Sequence, residues 1–121
     1  MNDPQYKNRL VKRMELQGSI MKIMADHNLD ALIYPHQRNI VARIVETQSP
    51  HNGSLAAVTG FPSIVVPAGF SKPTETAPLG VPIGVEFTGR PWSEATLIKL
   101  AYAFEQTTKF RQPPMSTPPI R

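Results

Sequence analysis

The stretch TGFPSIVVPAGF, Thr59 to Phe70, sets apolar residues between Gly60-Phe61-Pro62 at one end and Pro67-Ala68-Gly69 at the other. Proline cannot donate to a sheet ladder, so it is confined to strand ends, edges and bulges. Glycine reaches backbone angles that suit sharp bends. The stretch reads as a short strand over Ser63 to Val66, entered and left by tight turns. Ile64-Val65-Val66 has no polar alternation, which predicts cover on both faces and a sheet larger than this segment can build.

The same punctuation runs outward. Asp3 before Pro4 is a helix start, an N-cap followed by proline at the first helical position. Tyr6, Leu10, Met14, Met21 and Met24 then recur at helical spacing and share one face, with core packing the expected use. Gln17 falls in that stripe, and Gly18 leaves room for a bend. Asn28 to Asp30 ends the helix, and Ala31 to Tyr34 is a buried strand stopped by Pro35. Residues 36–53 read mostly as loop. Asn52 is placed to cap a short helix over Gly53 to Thr59, with Gly60 as its left-handed terminator.

After the opening strand, Ser71 to Gly80 is a polar, exposed connection. Val81 to Gly89 is a second buried strand, with Gly84 marking a close approach. Ser93 caps the last helix, Glu94 sits near its positive end, and Leu97, Leu100, Ala101 and Phe104 form its buried stripe. The order is helix, strand, loop, short helix, strand, strand, helix: an α/β class with few strands. Residues 1–110 make up this unit, and 111–121 form a tail with four prolines in eleven residues.

Composition narrows the function. The 121 residues carry a net charge of +4, but the basic residues are scattered and lack the interleaved aromatics of a single-strand binder, so no nucleic-acid partner is expected. There are no cysteines, which removes disulfides and thiolate metal sites. No apolar run approaches the ~20 residues needed to span a bilayer, and no membrane partner is expected. The polar N-terminus has no signal-peptide core. The compartment is left open, with the cytoplasm as default.

The chemistry is sparse. The three histidines, His27, His36 and His51, form no HxxxH or HxH pair, so no metal is expected. His36, just past a strand end, and His51, just before a helix, are best placed to face a cleft. His27 falls at a helix end, where it meets the negative terminus. None of the serines lies in a GxSxG or SxxK arrangement, and no phosphate-cradling glycine loop occurs. Glu86 lies inside the second strand and reads as an edge-facing side chain, or less simply as a paired buried acid. No catalytic constellation assembles.

NGSLAAVTGFPSIVVPAGF (52–70) followed by PLGVPIGVEFTGRPWSEATLIKLAYAFEQ (78–106) closely resembles the C-terminal end of amidase signature enzymes. That family includes bacterial amidases, fatty acid amide hydrolases and the A subunits of tRNA-dependent amidotransferases. LDALIYP (29–35) resembles the strand ahead of the family's variable loop. The resemblance implies the C-terminal part of a large mixed α/β sheet flanked by helices, which accounts for buried strands in a short chain. It implies hydrolysis of carboxylic amides by a serine, a second serine with a cis peptide bond, and a lysine, around a Gly/Ser-rich signature that this sequence lacks.

No catalytic residue is therefore assigned, and no cofactor is expected. The substrate-pocket candidates are His51, Asn52 and His36. Asn52 is equally readable as a plain helix cap. The implied partners are the missing N-terminal catalytic portion and, through the apolar surface it would cover, a second copy of the chain. The resemblance also leaves room for a non-catalytic interaction module derived from this fold.

Overall fold

A computed structural model describes residues 3–42, 44–47 and 53–114. Six elements follow in chain order: α1 (Pro4–Asp26), β1 (Ala31–Pro35), α2 (Ser54–Thr59), β2 (Ser63–Phe70), β3 (Pro82–Gly89) and α3 (Glu94–Thr108). The strands form one antiparallel sheet in the order β1-β3-β2, so β3 is central. Helices cover both faces. Val66, Val85 and Phe87 pack under Leu97, Ala101 and Phe104 of α3 on one side. On the other, Leu32 packs with Ile20 and Met24 of α1 and with Phe61.

The proline question is answered by the ladder. The Gly89 amide donates to the Pro62 carbonyl at 3.0 Å, and alternation along the register then turns Ile64 and Val66 toward β3. Ser63, Val65 and Pro67 turn their backbone groups the other way. The N–H that Pro67 lacks thus belongs to the outer edge, and the register shifts between Pro67 and Gly69. That bulge carries β2 past the expected end at Val66 to Phe70. Within this chain β2 is an edge strand, and Val65 is 45% exposed rather than covered.

Helix α1 starts as the sequence dictates, with the Asp3 side chain accepting from the Gln5 amide at 2.8 Å. It runs unbroken through Gly18. Its apolar stripe is only half used. Met24 is fully buried, whereas Tyr6, Leu10 and Met14 stay exposed. Gln17 leaves the stripe's apolar logic by donating to the Thr59 carbonyl at 2.6 Å, tying α1 to the end of α2.

Two cap assignments change. Gly53 occupies the N-cap of α2, which begins at Ser54, and Asn52 lies outside the described residues. Ser93 occupies the N-cap of α3, but its hydroxyl donates to the Arg90 carbonyl at 2.7 Å instead of capping the helix. Gly60 ends α2 in the left-handed region at φ 73°, as expected. The described part of 36–47 is bends and turns, with Ile44 and Val45 almost wholly exposed. Residues 111–114 are exposed and without regular structure.

Candidate functional site

The sheet's second face carries a polar network at the centre of the molecule. Antiparallel register sets Tyr34 of β1 and Val65 of β2 on either side of Glu86, with Thr88 two residues along β3 on the same face. The Tyr34 hydroxyl lies 2.7 Å from Thr88 Oγ1. His36, just beyond β1, places Nδ1 2.8 Å from Glu86 Oε2. Glu86 is 1% exposed and Thr88 fully buried.

The backbone makes room for this pair. Gly84 lies on the same face as Glu86, two residues before it. A Cβ there would fall 2.8 Å from Val65 Cγ1, forcing that side chain to shift, and would stand in ordinary contact with His36 Cβ at 3.9 Å. Gly53 borders the other side of the ring: a Cβ on it would stand 3.2 Å from His36 Cε1. The His36 amide, donating to the Gly84 carbonyl at 3.0 Å, extends the β1–β3 ladder by one bond and fixes the ring's origin.

Electrostatics mark the same spot. The Tyr34 phenol is raised above its ordinary value, first by burial; the Thr88 hydrogen bond lowers it in part, and the Glu86 charge adds to the rise. Beside His36 opens a cleft of about 500 Å³ with Pro35, Gln37, Ile40, Pro82 and Ile83 among its walls. Among the described residues no cluster of three or more His, Cys, Asp or Glu could hold a metal ion, and no helix is long and apolar enough to cross a membrane.

Of the three residues expected at a pocket, His36 is held against Glu86, while its neighbours Pro35 and Gln37, and not His36 itself, line the cleft. His51 and Asn52 lie outside the described residues. Glu86 corrects its simpler reading: it faces inward, as a paired buried acid. Sequence reasoning does not reach Tyr34 and Thr88 as site residues. The available signal is a carboxylate inside an otherwise apolar strand, but its partners become visible only when β1 and β3 are paired.

No family model matches the chain. Individual proteins do. A protein of Arabidopsis thaliana named as a probable amidase is 36% identical over 109 residues, covering 89% of this chain and 18% of that protein. The structure of the peptide amidase from Stenotrophomonas maltophilia superposes with a TM-score of 0.76 and 38% identity over 94% of this chain. The chain belongs to the amidase signature family.

A further amidase signature relative, a glutamyl-tRNA(Gln) amidotransferase component of Limosilactobacillus fermentum, is 38% identical over 116 residues, 88% of this chain and 22% of the relative. The chain thus spans about a fifth of the length of the curated relatives it matches, and 22% of the peptide amidase. The mixed α/β architecture is shared with the peptide amidases.

Proposed function

We propose that this chain is the C-terminal portion of a serine amidase, which cleaves the C–N bond of carboxylic amides with water to give an acid and ammonia or an amine. The observation that carries the reading is the fit to the peptide amidase fold over 94% of this chain and only 22% of that structure. In this reading the serine nucleophile, the second serine and the lysine lie in the portion that the chain does not span, and the 121 residues alone are inactive.

Three physical features support it. Both outer strands, β1 and β2, turn a row of backbone groups away from β3, the groups that further strands of a larger sheet pair with. The N-terminal half of α1 presents Tyr6, Leu10, Val11 and Met14 without cover from the described residues. Loop 36–42 and strand β3 form one wall of a cleft. The chain's part in catalysis is to complete the sheet and hold that wall, with His36, His51 and Asn52 as its pocket residues. Alone, it self-associates through the uncovered apolar surface.

The coding DNA upstream of the Met1 codon tests the proposal. An in-frame extension bearing a lysine and a Gly/Ser-rich signature is the expected result. A stop codon there, with no companion gene encoding that signature, would overturn it.

A further inference from the structure

Trp92 combines two features that do nothing for the described fold. Its backbone is left-handed at φ 64°, a region that suits glycine and asparagine and strains a bulky residue. Its indole, the only one in the sequence, is 92% exposed. The turn around it is closed by the Ser93 amide, which donates to the Arg90 carbonyl at 3.2 Å. A residue that adopts those angles freely would serve that turn better.

The indole borders a cleft of about 260 Å³ with Arg13, Gln17, Phe61, Pro62 and Pro91 in its walls. That cleft joins it to α1, where Tyr6, Leu10, Arg13, Gln17, Ile20 and Met24 follow at alternating steps of four and three and share one face. At the C-terminal end of this face, Ile20 and Met24 are buried with Phe61. In its middle, Arg13 and Gln17 donate to the Thr59 carbonyl at 3.3 and 2.6 Å. At its N-terminal end, Tyr6 and Leu10 stay exposed. The packing face of α1 thus continues outward as open apolar surface, with Trp92 beside its midpoint.

Charge says what kind of surface fits there. From Pro4 to Met14 the helix carries Lys7, Arg9, Lys12 and Arg13 and no acidic residue. Cations toward a helix's positive end gain nothing from its dipole, and none of these four forms an ion pair among the described residues. We infer that Trp92 and the N-terminal half of α1 form one docking surface for the catalytic portion of the same polypeptide, which meets it with an apolar patch rimmed by carboxylates. The inference rests on the amidase reading, in which this chain is about a fifth of the protein and the remainder leads into α1. It adds an anchor residue to that reading: the strained turn is retained for the contact its indole makes.

The experiment compares the 121-residue chain with the full polypeptide, both carrying fluorotryptophan. In the full polypeptide the Trp92 fluorine signal is the one lost in Trp92→Phe. An exposed indole shifts its signal between light and heavy water, and a covered one does not. The shift is expected in the dilute 121-residue chain and is expected to be lost in the full polypeptide. A Trp92 signal that keeps its solvent shift in the full polypeptide overturns the inference. A shift lost only where the full polypeptide dimerises assigns the surface to a second copy, and overturns it too.

Stability supplies a second readout, with a sign that a merely structural tryptophan would not give. Trp92→Asn suits the left-handed backbone, so the 121-residue chain is expected to unfold at an unchanged or higher urea concentration. In the full polypeptide the same change removes the anchor and lowers the urea midpoint, and Trp92→Phe, which keeps a ring, lowers it less. Effects of equal sign in the two molecules overturn the inference. Lys7→Gln with Arg9→Gln is expected to lower the full polypeptide's midpoint in dilute buffer and to leave it unchanged in about 1 M salt. No effect at either salt concentration would overturn the carboxylate rim. Neither readout needs turnover, so a polypeptide that covers Trp92 yet releases no ammonia counts against the amidase reading alone.

Discussion

His36 Nδ1 stands 2.8 Å from Glu86 Oε2, joining a residue just past the end of β1 to the middle of β3. The contact ties a loop residue to a carboxylate 1% exposed, so each member depends on the other differently. Replacing His36 alone by alanine leaves the buried Glu86 side chain without this hydrogen-bond partner and is expected to cost about 1–3 kcal/mol. Replacing both, as His36→Phe with Glu86→Leu, is expected to lie within about 1 kcal/mol of the parent. Urea unfolding of the parent, both single variants and the double variant measures the difference.

Tyr34 supplies an alkaline signature. Its phenol holds its proton above the ordinary value of 10.0, chiefly because it is buried. Above about pH 10 the unfolded chain therefore releases this proton before the folded one does. The stabilising contribution is full below about pH 10 and is lost as pH rises toward the folded value. Tyr34→Phe is expected to remove this part of the alkaline fall in stability, read from melting temperatures between about pH 8 and 11.

Arg90 works at a distance from the network. Its Nη2 donates to the carbonyls of Met24 and Leu29 at 3.0 and 3.2 Å, holding the end of α1 to the approach of β1. Arg90→Met keeps much of the apolar stem and removes the donors. The expected cost is about 1–3 kcal/mol, read by chemical unfolding.

Gly84 is a tight point of the sheet, where an added Cβ would meet Val65 Cγ1 at 2.8 Å. A side chain there must displace Val65 and crowd His36. Gly84→Val is expected to destabilise by about 1–3 kcal/mol and to shift the His36 ring resonances. Gly18, with nothing within 4 Å of an added Cβ, is the control: Gly18→Ala is expected to stabilise α1 by about 0.5–1 kcal/mol.

Much of this architecture is written in local residues. Asp3-Pro4, Gly60 and the Leu97, Leu100, Ala101 and Phe104 stripe fix helix ends and faces through backbone and side-chain chemistry that acts within a few positions. What is not legible depends on partners far along the chain. The bulge after Pro67 extends β2 because β3 lies alongside, and Ser93 turns its hydroxyl to Arg90 because the turn brings that carbonyl within reach. Glu86 is the clearest case. Within its strand it reads as a charge needing solvent, and only the pairing with β1, some fifty residues earlier, supplies His36 and Tyr34. The exposed half of α1 shows the converse: its stripe has the pattern of a packing face, and the described residues cover only its C-terminal end.

Exposed edges predict the behaviour of the 121 residues alone. Ile33 on β1 is 56% exposed, and its backbone groups face away from β3. Sedimentation of the isolated chain is expected to show association that Ile33→Lys reduces, since a charge on an edge opposes strand pairing.

The decisive measurement is ammonia release from a C-terminally amidated dipeptide by the complete open reading frame, beside the 121-residue chain. Release by the full polypeptide is expected, with none from the chain alone and loss of release when the serines of the upstream signature are changed to alanine. A full polypeptide that folds and binds amides yet releases no ammonia from them would contradict the amidase assignment.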